Sequence, residues 1–463
     1  MTTDETRLTR RLKLSGAAPG PAPASAPRTR HILTEFEHLL CRGGCPACTY
    51  LAQAESSFFS WFRNENYSSA EVGAQVRAGM GMCPVHSRRL VDEFGAGPIT
   101  TVIAREALAG ALQHVRGEAH VGACAACDTL AGSSEYVNHL VIDALHSVNG
   151  SRQYREHAGM CLPHFLGLAP MADPAILTLV GERLLTSLGT GDGPGLDSLL
   201  AGADNDARRR LAWRERLPEP RAAGSTVERL REQLDAATCP VCLTAGLSER
   251  GYLRWFRQRS RDDDASLDSD PGELCSAHMH DAALADRGAA EYAVSRTRAA
   301  TMGGLERLLD QLAPLPPATG RRRRSGTGAM DRVHGTLVSP HQCPLCRVRD
   351  GAESRQLELL IACLALAPVR RQYEESHGLC VRHAIRVTAD GAARLTRRHV
   401  DARLSVLAWE VNERQRKYGW ANRHEEAGPE QDAWLRGLVQ IDGRVLVGGR
   451  AAAINETEAP DQA

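Results

Sequence analysis

Lysine is almost missing from this chain: Lys13 and Lys417 are the only two in 463 residues, while arginine, alanine and glycine are plentiful. We read that bias as GC-rich coding, which points to a bacterium rather than to any chemistry. Net charge is also missing. The 56 basic residues balance 56 acidic ones, so no global field draws the chain to nucleic acid or to a membrane surface. No long apolar run exists. The longest, 357–369, is interrupted near Pro368 and falls short of the roughly 20 residues that cross a bilayer. The N-terminus has no apolar stretch of the secretory kind, only a polar segment from Arg7 to Lys13 and a Pro/Ala stretch over 17–27, which points to the cytoplasm. The G-x-S-x-G, G-x-x-x-x-G-K-[ST] and H-E-x-x-H signatures are absent, as is a G-x-G-x-x-G after a strand, which leans against an enzyme.

What the chain has is cysteine: 14 residues, in a pattern. Cys45-Pro46-Ala47-Cys48 is followed by Cys83-Pro84-Val85-His86, and Cys124-Ala125-Ala126-Cys127 by Cys161-Leu162-Pro163-His164. Cys239-Pro240-Val241-Cys242 is followed by Cys275-Ser276-Ala277-His278, and Cys343-Pro344-Leu345-Cys346 by Cys380-Val381-Arg382-His383. In each of these four C-x2-C…C-x2-H frames the third cysteine stands 33–35 positions after the second. In a reducing compartment such cysteines bind metal more often than each other. The expectation is one Cys3His zinc site per frame, four zinc ions per chain, each clipping two helix starts together. A closed set of four protein ligands has no open position for water, so the sites are structural rather than catalytic. An iron–sulfur cluster with Cys3His ligation and reversible disulfide use are the alternatives. Covalent haem is excluded, since Thr49, Asp128, Leu243 and Arg347 stand where the haem motif needs histidine.

The frames alternate in character. Trp61-Phe62-Arg63 and Trp255-Phe256-Arg257 each begin 13 residues after a C-x-x-C motif, and Arg152-Gln153-Tyr154 and Arg371-Gln372-Tyr373 each begin 25 residues after one. The third frame therefore resembles the first and the fourth the second, an A-B-A′-B′ internal duplication. Periodicity is helical almost throughout, so the fold class is all-α, with a small hairpin signal around Asp442-Gly443. The plan is a disordered segment 1–30, a first half 31–217, a linker 218–224, a second half 225–440 with a disordered Arg-rich insertion near 314–330, and a hairpin and polar tail over 441–463. Residues 196–217 read as one polar helix.

Other residues receive plainer readings. Cys41 and Cys363 are packed apolar groups, and His280 and His341 are neighbours of ligands rather than ligands. The aromatic triplets belong to the core. Arg321 to Arg324, with no aromatics interleaved, form a solvated loop rather than a nucleic-acid contact. The C-P-x-C…G-L-C-x-x-H frame resembles bacterial proteins of unknown function that carry one or two such helical Cys/His units. The resemblance spans 40 to about 420 and implies metal binding and a helical fold, with no substrate. The functional expectation is a cytoplasmic scaffold or adaptor with a protein partner. A zinc-thiolate redox sensor, and an enzyme with a pocket between the halves using Arg63, Arg257 and the triplet tyrosines, are the alternatives.

Overall fold

The computed structural model describes residues 26–118, 121–157, 159–190, 195–218, 224–259, 274–312 and 343–444. Twenty α-helices and no strand occur among them, so the chain is all-α. In order they are α1 (Ala26–Cys41), α2 (Pro46–Trp61), α3 (Ala70–Ala78), α4 (Pro84–Phe94), α5 (Pro98–Val115), α6 (Ala125–Leu145) and α7 (Val148–Arg155). Next come α8 (Leu162–Leu168), α9 (Pro174–Thr190), α10 (Leu196–Ala201), α11 (Ala207–Glu215), α12 (Thr226–Leu234) and α13 (Pro240–Arg259). The last seven are α14 (Ser276–Ala285), α15 (Arg287–Leu312), α16 (Pro344–Cys363), α17 (Ala367–Glu375), α18 (Val381–Ala384), α19 (Asp390–Lys417) and α20 (Ala433–Ile441).

Their starts follow from local chemistry. Proline, whose missing N–H costs nothing in a first turn, is the first residue of α2, α4, α5, α9, α13 and α16. Serine caps others: Ser69 accepts from the Val72 N–H, and Ser147 from the Gly150 N–H. Ser225 and Glu228 cap each other reciprocally at α12. The expected helix start at 68–71 is thus present, with Ser69 as its cap.

The helices form two compact units, neither of them a consecutive half of the chain. One contains Met1–Trp61, Thr129–Ala207 and Leu253–Cys346; the other contains Phe62–Asp128, Arg208–Tyr252 and Arg347–Ala463. In the first unit α15 packs against α9, α10 and α14, and α1 packs against α2 and α7. Phe36, Phe59, Tyr154 and Phe165 are fully enclosed there. The core of the second unit is built on α5, which packs against α3, α19 and α20 and buries Ile103, Leu108, Leu404 and Val411.

The packing of α3 on α5 depends on one small residue. A Cβ on Gly110 would lie 1.9 Å from the Arg77 carbonyl oxygen, so alanine there must push the two backbones apart. Overpacking of this kind costs about 1–3 kcal/mol. We expect Gly110→Ala to lower the unfolding midpoint accordingly, despite alanine's better helix propensity. A midpoint equal to or above that of the parent in chemical denaturation would show that α3 and α5 do not meet here.

Three expectations are corrected. Residues 196–217 do not form one helix: α10 ends at Gly202, whose φ of +75° only glycine adopts without cost, and α11 begins at Ala207. The break brings the backbone of Gly202 and Ala203 against Cys48 and Cys161. The hairpin around Asp442-Gly443 loses its first arm, because Gln440 and Ile441 belong to α20 and the buried Gln440 side chain donates to the Leu379 carbonyl, 2.9 Å. The segment expected as disorder at 1–30 ends earlier, because residues 26–30 already belong to α1. The rest of that segment, the remainder of the hairpin signal, the insertion expected as disorder at 314–330, Arg321 to Arg324, His341 and most of the 218–224 linker lie outside the described residues.

Candidate metal centres

All sixteen cysteine and histidine residues of the four frames gather into four groups of three cysteines and one histidine. The membership of each group is not that of the frames. Cys45 and Cys48 meet Cys161 and His164 (centre I), while Cys83 and His86 meet Cys124 and Cys127 (centre II). Cys239 and Cys242 meet Cys380 and His383 (centre III), and Cys275 and His278 meet Cys343 and Cys346 (centre IV). Each C-x-x-C thus pairs with the C-x-x-H of the neighbouring frame. Centres I and IV belong to the first unit, centres II and III to the second.

The 33–35 positions between a C-x-x-C and the C-x-x-H of its own frame are compatible with either pairing, so the grouping of the donors, and not the spacing, assigns the partners.

All eight ligand pairs share one local geometry. The first cysteine precedes a helix and the second ligand sits in its first turn, three residues on. Cys83, Cys161, Cys275 and Cys380 are the N-caps of α4, α8, α14 and α18, with φ from −63° to −74° and ψ from 160° to 165°. Cys45, Cys124 and Cys239 stand likewise before α2, α6 and α13, their carbonyls accepting from Thr49, Asp128 and Leu243 at 3.1, 2.9 and 2.9 Å. Each centre is therefore two helix N-termini facing each other. Each end carries about half a positive charge, which favours thiolate.

A buried apolar residue stands immediately before each C-x-x-H. Met82, Met160, Leu274 and Leu379 are all buried. Gly81, Gly159 and Gly378 hold φ of +96°, +84° and +70° to make a turn before three of them. The triplet tyrosines brace two of these turns. The Tyr154 hydroxyl oxygen accepts from the Met160 N–H at 2.8 Å and the Tyr373 hydroxyl oxygen from the Leu379 N–H at 3.3 Å, and both rings are fully enclosed. Burial pushes both phenol pKa values above their ordinary range. Phe62 and Phe256 are core residues too, whereas Arg63 is exposed over the Phe94 ring, 5.6 Å from its centroid. The phenylalanines and tyrosines of the triplets are thus core residues, as expected, whereas Trp255 is exposed.

Within the centres the donor atoms are close. Sγ–Sγ distances are 3.7 Å for Cys48–Cys161, 3.6 Å for Cys83–Cys127, 3.9 Å for Cys242–Cys380 and 3.8 Å for Cys275–Cys346. Each histidine turns Nδ1 toward sulfur, from 3.0 Å at Cys161–His164 to 3.6 Å at Cys124–His86. In centre I the Ala203 N–H donates to Cys48 Sγ, 3.4 Å. Centre III is the most enclosed: all four ligands are buried, and a Cβ on Gly443 would lie 2.8 Å from Cys242 Sγ. Centre II is the most open, with Cys127 exposed and Cys83 and Cys124 partly so.

Sequence reasoning missed what surrounds centre III. His383 Nε2 lies 3.6 Å from the buried Glu353 carboxylate, which also accepts from Arg386 at 2.9 Å and from Arg444. Burial opposes the Glu353 charge, but His383, Arg444 and Arg386 outweigh it and hold the carboxyl well below the usual range. At 3.6 Å the carboxylate is beyond hydrogen-bond length of the distal nitrogen, but its charge favours a proton there and so leaves Nδ1 as the donor to metal. We expect Glu353→Gln to weaken metal at centre III by about 10–100-fold, read by competition with a chromophoric chelator. Unchanged affinity would make the carboxylate a bystander. The sequence carried no signal for it, since Glu353 stands 30 positions before His383 on another helix.

Cys363 is buried, as expected; Cys41 is exposed rather than packed, because it ends α1 beyond the buried Leu39 and Leu40. His280 stays outside the donor groups. No described helix is long and apolar enough to cross a membrane. Comparison with family models, curated proteins and solved structures gives no match.

Proposed function

We propose that this chain is a cytoplasmic zinc protein whose four closed Cys3His centres staple helix starts together, and that the resulting helical body serves as a non-enzymatic scaffold for a protein partner. The observation that carries the metal reading is the spacing of the donors. With Zn–S near 2.3 Å and Zn–N near 2.05 Å, a tetrahedron puts two sulfurs about 3.8 Å apart and a sulfur and a nitrogen about 3.6 Å apart. The contacts between sulfurs run from 3.6 to 3.9 Å and those between sulfur and Nδ1 from 3.0 to 3.6 Å. That favours one ion per centre. A polynuclear iron–sulfur cluster puts several irons between its ligands and spreads the sulfurs further.

Charge supports the same reading at centre III. A divalent ion with three thiolates is −1, Glu353 adds −1, and Arg386 and Arg444 add +2, so the enclosed assembly is neutral. The scaffold reading rests on the closed donor sets. Four protein ligands leave an ion nothing to offer a substrate, whereas exposed Trp409 and Trp420, at 65% and 77%, are residues of the kind that anchor protein contacts.

The test is elemental analysis of protein purified without added metal, expected to give four zinc per chain, followed by affinity capture from the source cell. Iron with a visible chromophore would replace zinc by a cluster. Capture that returns no stoichiometric protein, from a chain with all four zinc in place, would remove the scaffold role and leave the metal reading standing.

A further inference from the structure

The four centres are alike in ligands and unlike in exposure. Centre III is sealed, while centre II presents Cys127 to solvent with Cys83 Sγ only 3.6 Å from Cys127 Sγ. Centre II also differs in what it joins. Its ligands lie between positions 83 and 127, whereas those of centre I reach from 45 to 164 and those of centre III from 239 to 383. Loop-closure entropy grows with the length closed, so losing centre II releases the shortest loop of the four. The two chain segments that meet at centre II are held by more than the ion. The Gly122 N–H donates to the Ala78 carbonyl at 2.7 Å, and Gly79 packs so closely that a Cβ there would lie 2.9 Å from the Ala123 carbonyl oxygen. Ser87 on α4 donates its hydroxyl to the Met82 carbonyl, 2.9 Å, holding the turn before Cys83.

We propose that centre II is a reversible, oxidant-responsive metal site, releasing its ion to hydroperoxides while the other three centres keep the fold. The proposal rests on the zinc reading above. In the metal-bound centre the Cys127 thiolate attacks one oxygen of hydrogen peroxide. The O–O bond breaks, hydroxide leaves with the electron pair and is protonated to water, and Cys127 becomes a sulfenic acid. Cys83 or Cys124 then attacks that sulfur, and the S–O bond breaks as hydroxide leaves and is protonated. Two thiolates, one peroxide and two protons thus give one disulfide and two water molecules. Sulfurs 3.6 Å apart need to close to about 2.05 Å. With two ligands lost the ion departs, and a thiol reductant restores the site. The exposed sulfur sets the order, because access is what separates reactive zinc thiolates from inert ones.

The experiment uses the zinc-loaded full chain with limiting hydrogen peroxide, a chromophoric zinc chelator and mass spectrometry of alkylated cysteines. We expect one of four zinc ions to leave in a first phase at least tenfold faster than the rest. The disulfide should map to Cys83, Cys124 and Cys127, helical circular dichroism should be kept, and a thiol reductant should reverse the change. Cys127→Ser should abolish that phase. Should this variant fold poorly, exchange of bound zinc against an isotopically distinct zinc in the parent chain reads the same order, one ion at least tenfold faster than the others. Simultaneous loss of all four ions, a first phase mapping to another centre, or uniform exchange would overturn the proposal while leaving four structural zinc ions in place. A chain that holds no zinc before oxidation would overturn the zinc reading itself.

Discussion

Replacing Cys45 and Cys161 together with serine should leave three zinc ions on the chain, whereas replacing Cys45 and Cys83 should leave two. The first pair belongs to one centre and the second pair to two. If each frame closed on itself, the counts would be exchanged. The same logic holds in the second half of the chain: Cys242→Ser with Cys380→Ser should cost one ion, and Cys242→Ser with Cys275→Ser should cost two. A structural zinc site is worth roughly 10–16 kcal/mol, so removing ligands at two centres instead of one should be plain in stability as well as in the metal count. Equal counts for both kinds of double variant would mean that neither pairing describes the protein.

Much of this was legible in the residues. Proline after the first cysteine, C-x2-C and C-x2-H, and glycine before the plug residue are all local instructions, and each reappears as a helix N-terminus with two ligands on one face. Fold class followed from the 3.6-residue period. The pairing was not legible, because four C-x-x-C and four C-x-x-H half-sites with near-constant gaps satisfy the ligand count in either arrangement. What decides is which ligand pairs the folded chain brings together, a contact across sequence that spacing does not record. The division into units escaped for the same reason: α6 and α13 each begin in the second unit and end in the first, and periodicity carries no mark where a continuous helix changes its neighbours. Glu353, Gly202 and Gly443 escaped because their role is contact across sequence, at positions that no motif names. The tyrosines show the reverse. Their fixed distance from the C-x-x-C motif was visible, and the plain core reading holds with a reason added, the hydrogen bond to the N–H of the plug residue.

Removing the metal should cost this protein far more than any single side chain. Each centre must give up the protons of three thiols and of one imidazole to hold an ion, so the metal-bound fold carries fewer protons than the unfolded chain. Stability therefore rises with pH, by about 1.4 kcal/mol per proton per unit. Below about pH 6.5 a centre loses close to four protons' worth, or roughly 5 kcal/mol per unit. A site worth roughly 10–16 kcal/mol at pH 7 is then exhausted near pH 4–5. The metal-free centre has its own proton. Burial disfavours the His164 imidazolium, but Cys45 and Cys48 facing it push its pKa up to about 10. That pairing stabilises the empty site below about pH 6.5 and is lost as pH rises through 10, so across neutral pH an incoming ion must displace a proton that the empty site retains. Glu106 and Glu353, both held below the usual carboxylate range, add stability that is present above about pH 4.3 and lost as pH falls, which blurs an acid titration alone. Chelation at pH 7 separates the two effects. We expect a strong zinc chelator at neutral pH to abolish most helical circular dichroism and the cooperative thermal transition, and added zinc to restore both. Acidification should release zinc and helix together near pH 4–5. A chain stripped of zinc at pH 7 that keeps its helices and melts cooperatively would mean that packing around α5 and α15 suffices, and that the four centres serve something other than the fold.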